Sequence, residues 1–281
     1  MSGLTNMKVR HPQVETFPSH NGPDYKTAIS EGRFDGYNLI NKFAYCNDVD
    51  VGAFRVLSNN MSITHWITDE RQMKVVAANA ADCITGTGLR AVVIEYLNEA
   101  CELKTEYLEL EADQSTNTVA TDIFRVESMT GVKYGSGGSI NGAVGSITLE
   151  NLAGTETYSE IAQYKTHSEV CLHWVRPNYR SVFSEVKIES ATEAAGVYVG
   201  IFGTFDYSAY GGDTNVSVQC CGVGASWGNI AVIAIDPHFG LFNASDEIQA
   251  VYFAAKSKSE TSNLQASASF VLYEFENQHE A

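Results

Sequence analysis

Two runs of residues between Gly86 and Leu110 restrict the fold more than anything else in the chain. Leu89 to Leu97 is dense in β-branched and aromatic side chains. Asn98 and Glu99 open a short polar turn, and Cys101 to Leu110 alternates Leu103, Thr105 and Tyr107 with Glu102, Lys104 and Glu106. A period of two puts alternate side chains on opposite faces of a strand, so the pattern predicts an antiparallel hairpin with one apolar and one charged face. Leu103, Thr105 and Tyr107 are assigned to the apolar face. A lone hairpin is marginal in water, so that face requires further strands or a second sheet to cover it.

The remaining sequence supplies them. Strand patterns run over Gln72–Ala78, Thr121–Lys133, where Gly131 signals a bulge or break, and Ser146–Leu149. Others follow at Glu169–Val175, Ser181–Ser190, Gly196–Phe205, Asn215–Val223, Ile230–Ile235, Glu247–Ala255 and Ser267–Phe275. Polar residues between Glu150 and Ser168 suit a short helical turn. Gly36 to Leu57 has irregular apolar spacing and reads as a segment lying across a surface. Residues 1–35 hold Pro12, Pro18 and Pro23 with no sustained period, which predicts an extended N-terminal arm. Short strands separated by Gly, Asn, Asp and Ser clusters indicate an all-β chain, a β-sandwich or jelly-roll-like fold built as one sandwich or two packed together. The expected division is an arm at 1–35, a first β-rich region at 36–150 and a second at 151–281.

Composition then limits the partners. A chain of 281 residues, 44% hydrophobic, can bury a large core. With 18 basic against 34 acidic residues the formal charge is −16, which opposes contact with phosphate backbones, so nucleic acid is not an expected partner. No apolar run approaches a membrane span, and the first residues lack the apolar core of a signal peptide. Neither membrane association nor secretion is expected. Six scattered cysteines without a Cys-x-x-Cys pair read as reduced, and vicinal Cys220 and Cys221 suit one zinc ion poorly. The expectation is no metal and no cofactor.

Motifs that might carry chemistry are weak in context. Gly86-Thr-Gly-Leu-Arg-Ala matches a loose dinucleotide fingerprint, but a strand follows where the fingerprint needs a helix, so a turn entering a strand is expected. The loop from Gly135 to Gly145 could cradle an anion with its amides, but it lacks the Gly-Lys-Ser/Thr of a phosphate-binding loop, so a mobile loop between strands is the favoured reading. Seven dispersed histidines form no His-x-x-x-His pair, and His173 reads as a core or partly buried residue. Asp236-Pro-His offers an acid and a base on a turn with no identifiable nucleophile. Tyr207 and Tyr210, in a loop bearing Gly and Asp, have the aromatic and polar mix that stacks sugars or anchors a protein, or else they cap the end of a sandwich.

Four stretches carry a resemblance. Asn41-Lys-Phe-Ala-Tyr-Cys-Asn-Asp-Val-Asp-Val-Gly-Ala-Phe, Gly86-Thr-Gly-Leu-Arg-Ala-Val-Val-Ile-Glu-Tyr-Leu-Asn, Thr118-Val-Ala-Thr-Asp-Ile-Phe-Arg-Val-Glu-Ser-Met and Ser245-Asp-Glu-Ile-Gln-Ala are similar, in this order, to a family of uncharacterised structural proteins of tailed bacteriophages. The resemblance spans Gly36 to Asn277 and departs from the family after Leu110, where Glu-Ala-Asp stands in place of Leu-Asn-Gly. It implies a virion component, made in the bacterial cytoplasm and assembled in many copies, and says nothing by itself of enzymatic residues; the leading expectation is a non-enzymatic subunit that decorates the capsid or belongs to the tail. On that reading the arm attaches the subunit to other virion proteins and to copies of itself through Phe17, Tyr25, Phe34 and Tyr37, with Tyr207 and Tyr210 as an outward recognition loop. Two rivals stand beside it. One is a carbohydrate-binding receptor module of a tail spike or fibre that takes a host surface glycan. The other is a polysaccharide hydrolase, which would need paired carboxylates among Glu185, Glu189, Asp206 and Asp213.

Overall fold

The computed structural model describes residues 36–49, 55–136, 142–190, 197–205, 216–226, 231–232, 240–242, 248–257 and 264–276. Every regular element among them is a strand. β1 (Tyr37–Val49) and β2 (Arg55–Val56) come first. They are followed by β3 (Met73–Ala77), β4 (Leu89–Leu97), β5 (Leu103–Glu109), β6 (Ser115–Asn117), β7 (Arg125–Tyr134), β8 (Ile147–Asn151) and β9 (Thr157–Ile161). The last group is β10 (Leu172–Val175), β11 (Tyr179–Ser190), β12 (Val197–Phe205), β13 (Val216–Ser226), β14 (Ala231–Val232), β15 (Gly240–Phe242), β16 (Gln249–Ser257) and β17 (Leu264–Glu276).

Pairing sorts these strands into two sandwiches. One, the carrier, packs a sheet ordered β1-β17-β11, with β14 and β15 both on β11, against a sheet ordered β10-β16-β12-β13 that also holds β2. Its core is Ala44, Cys46 and Val49 against Val251, Phe253 and Ala255, with Ala266, Ala268, Phe270 and Leu272 from β17. Phe253 and Phe270 meet edge to face at 5.2 Å. The other sandwich packs β6-β3-β8-β9 over β5-β4-β7 and buries Met73, Val75, Ile147, Leu149 and Ile161 against Leu89, Val92, Ile94, Leu108 and Met129. It is inserted into the carrier between β2 and β10. The outgoing and returning chains lie side by side as an antiparallel bridge of Ser58 with Val170. Asn59 N donates to Glu169 O at 3.0 Å and Cys171 N to Leu57 O at 2.9 Å.

Four expectations change. Gly36 to Leu57 is no surface segment: β1 pairs with β17 from Tyr37↔Phe275 to Val49↔Leu264 and turns Ala44 and Cys46 into the carrier core. Its apolar spacing looked irregular because Phe43 sits on the other face, 42% exposed. The helical turn expected between Glu150 and Ser168 is strand β9, which pairs with β8 as a hairpin. Strand pairing also does not divide the chain near residue 150, since β1 joins β17 while β8 joins β3.

The fourth change concerns the central hairpin, which forms where expected but with its faces exchanged. Leu103 and Tyr107 point to solvent, each 53% exposed, and Leu108 is buried. The register Val92↔Leu108, Ile94↔Glu106 and Tyr96↔Lys104 places the even-numbered residues on the core side of β4. Lys104 and Glu106 sit at the margin of that side and reach outward: Lys104 Nζ lies 2.7 Å from Asp122 Oδ2, and Glu106 accepts hydrogen bonds from the amides of Val119 and Ala120. The bulge signalled by Gly131 is present, as the pairing skips Val132 between Ala91↔Lys133 and Val92↔Gly131.

Candidate functional site

The two sandwiches meet through an apolar layer and a charged one. In the apolar layer Leu97, at the end of β4, packs with Val56, Leu172, Trp174, Ala250 and Tyr252 on the outer face of the carrier. Trp66 meets Trp174 at 5.9 Å and Tyr252 at 5.4 Å, both edge to face. Trp174 Nε1 donates to Val126 O at 2.9 Å, so the indole spends its one donor across the junction.

The charged layer follows from strand alternation. On β10, Leu172 and Trp174 face the inserted sandwich, which turns His173 inward; on β17 and β1 the core-facing rows end in Glu274 and include Lys42. Among the described residues β1 and β10 are edge strands of their sheets, so Lys42 and His173 lie along an open side of the carrier, with Glu274 one strand further in on β17. Glu127 of β7 enters that side. Its Oε1 lies 2.6 Å from Lys42 Nζ and 2.8 Å from His173 Nδ1, and its Oε2 accepts from Trp174 N at 3.1 Å. Lys42 Nζ also donates to Glu127 O at 2.9 Å. His173 Nε2 lies 3.2 Å from Glu274 Oε1, and Arg176 closes the chain on Glu274 Oε2 at 3.3 Å.

The protonation states follow. Burial disfavours the His173 imidazolium, but Glu127 and then Glu274 outweigh it and raise its pKa to about 9. Burial likewise opposes the Glu127 carboxylate, yet Lys42 and His173 together hold its pKa at about 2. Burial works against Glu274 too, and the His173 and Arg176 contacts still lower it. Both ring nitrogens of His173 therefore donate, and every carboxylate oxygen of the pair has a donor. The cluster is saturated by the protein's own groups, which makes it a clamp between the sandwiches. Beside it Asn59, His65, Ser159, Glu160 and Ser168 line a small cleft that reaches Glu127. Burial lowers the His65 pKa to about 4, and Asn59 Oδ1 has no hydrogen-bond partner.

The expected sites fall as follows. His173 is the buried histidine anticipated, at 4% exposure. Tyr37 lies in β1 with its ring stacked on Phe275 at 5.0 Å. Phe17, Tyr25, Phe34, Tyr207, Tyr210, Asp206 and Asp213 lie outside the described residues, as do Asp236 and His238. Glu185 and Glu189 sit on β11 opposite Val271 and Ser267. The turn at Gly86 does enter a strand, as expected, and beside it the amides of Leu89, Val144 and Gly145 gather on the protein's own Asp82. Asp82 Oδ1 accepts from Leu89 N at 2.7 Å and Val144 N at 3.0 Å, and Oδ2 from Gly145 N at 2.7 Å. A Cβ on Gly88 would lie 2.2 Å from Asp82 Oδ1, so only glycine lets the carboxylate in. Among the described residues no group of three His, Cys, Asp or Glu is placed to hold a metal ion.

No family model and no curated protein matches the chain. Among solved structures it is similar to that of infectious bursal disease virus, Gt strain, at 7% identity over 88% of this chain and 74% of that one, with a TM-score of 0.26. It is also similar to the VP2 subviral particle of the same virus, at 7% identity over 86% of this chain and 73% of that one, with a TM-score of 0.27.

Proposed function

We propose that this chain is a structural subunit of a bacteriophage virion, decorating the capsid or belonging to the tail, and attached through its N-terminal arm. The observation that supports it best is the clamp. An inserted sandwich held to a carrier by two adjacent chain segments, an aromatic layer and a buried five-residue ion cluster is built to stay fixed, which suits load-bearing display better than a hinge that opens on a substrate. The net charge of the inserted body agrees with that use. Between Ser58 and Val170 sixteen acidic residues face seven basic ones, so the displayed body repels phosphate backbones and keeps crowded copies soluble. The resemblance to tailed-phage structural proteins points the same way.

The arm supplies attachment in this reading, with Phe17, Tyr25 and Phe34 as anchors on a neighbouring virion protein and Tyr37 as the point where the arm passes into the carrier sheet. Repetition on a symmetric particle multiplies a weak contact into stable binding. The test is to express a tagged chain during infection, purify particles and measure copy number by quantitative mass spectrometry and electron microscopy. Many symmetric copies are expected, with particle occupancy lost when Phe17, Tyr25 and Phe34 are changed together to alanine while the circular dichroism spectrum is unchanged. Particles that lack the protein would overturn the proposal, and so would an alanine variant that still binds them. Binding of host polysaccharide that depends on Tyr207 and Tyr210 would move the assignment to a receptor module.

A further inference from the structure

Among the described residues β5 is the edge strand of its sheet, bonded to β4 on one side. Asn98 N donates to Glu102 O at 3.2 Å and Leu110 N to Arg90 O at 2.9 Å, so in this hairpin the even-numbered residues exchange bonds across the pair. The amide and carbonyl groups of Leu103, Thr105 and Tyr107 consequently point to the open edge. Glu109 O, next in that row, already accepts from Thr116 Oγ1 at 3.3 Å. The open window is therefore Leu103 to Tyr107, flanked by two large apolar side chains that face solvent. Natural edges of this kind are usually blunted by an outward lysine. Here the one lysine, Lys104, lies on the other face of the strand and is bound to Asp122 at 2.7 Å.

The window is complementary to itself. In an antiparallel pair of two β5 strands centred on Thr105, Leu103 lies opposite Tyr107 of the second copy, Lys104 opposite its Glu106, and Thr105 opposite its Thr105. All three free amide and carbonyl pairs are then used, and unlike charges face each other. Centring on Lys104 or Glu106 would set like charges opposite, and centring on Leu103 or Tyr107 would lose most of the window. We infer that β5 is a two-fold interface at which two copies of this chain join their β5-β4-β7 sheets edge to edge. The inference rests on the symmetric repetition of copies in the proposed function, adds that the copies associate with one another, and names the surface.

The test uses the full chain with Cys101→Ser, which removes the half-exposed thiol of the adjoining turn. Adding Thr105→Cys places two thiols opposite each other at a separation a disulfide spans, while Tyr107→Cys places them four residues out of register, about 13 Å apart. Mild oxidation should convert most Thr105→Cys chains to a covalent dimer and leave Tyr107→Cys at background. Light scattering at high concentration should show wild type as an oligomer built on dimers, and Leu103→Lys with Tyr107→Lys should halve the mass without altering the circular dichroism spectrum. Equal cross-linking of the two cysteine variants, or an oligomer whose mass the lysine variant leaves unchanged, overturns the β5 interface while self-association stands. A wild-type monomer overturns both.

Discussion

A histidine held between two carboxylates makes the stability of the molecule a function of pH with two limbs. The folded-state pKa of His173 is raised to about 9 from 6.5, so its contribution is complete below pH 6.5 and disappears as pH rises through 9. Glu127 is lowered from 4.5 to about 2, so its contribution is present above pH 4.5 and disappears as pH falls toward 2. Thermal unfolding followed from pH 4 to 10 should show a plateau near pH 4.5 to 6.5 and a decline above it. His173→Gln should flatten the alkaline limb, and an alkaline limb of unchanged slope in that variant would refute the assignment. Glu127→Gln leaves Lys42 and His173 buried without their main partner and should cost about 3–5 kcal/mol in urea unfolding. Asp82 bears on one residue in a comparable way. Asp82→Asn keeps the shape but turns an amide group toward backbone donors and should cost about 1–3 kcal/mol.

Strands were readable from the sequence where pairing was not. β3, β4, β5, β7, β8, β10 to β14, β16 and β17 stand close to their expected positions because alternation and turn residues are local signals, whereas the three residues of β15 were too few to show a period. Sheet order depends on contacts far apart in sequence, and nothing in Tyr37 to Val49 names Leu264 to Glu276 as its partner. The same distance hid the clamp: Lys42, Glu127 and Glu274 are single charges in unremarkable surroundings, and only His173 on an apolar strand gave a local hint. The exchanged faces of β5 have a more specific cause. β4 carries Val92, Val93 and Ile94 in succession, so it does not say which side is inward, and β5 was read from its own Leu, Thr and Tyr. The deciding residues are Leu108 and Leu110, which continue the row of Lys104 and Glu106 into the core. Leu108→Ala should therefore cost about 2–5 kcal/mol, whereas Leu103→Ala, on the solvent face, should change monomer stability by less than about 0.5 kcal/mol. Chemical denaturation of both variants below the concentration at which copies associate checks the pair, and equal losses would restore the face assignment drawn from sequence.

At the scale of the whole molecule the question is whether two hydrophobic cores behave as one unit. Each sandwich has its own buried cluster, so each has the means to unfold separately. What couples them is the third cluster around Trp174 and the ions about His173, for neither keeps its partners if one sandwich opens alone. Calorimetry near pH 6, where imidazolium and carboxylates are all charged, should give a single transition whose van't Hoff and calorimetric enthalpies agree. Glu127→Gln removes the inserted body's only charge in the clamp and should split that transition in two, one for each sandwich. Lys133→Ala breaks an exposed pair with Glu109 inside the inserted sandwich, where both side chains stand more than 40% open, and should leave the transition single. A split that appears equally in both variants would mean that the sandwiches were never coupled through Glu127. A single transition in Glu127→Gln would mean that the aromatic layer alone suffices to hold them.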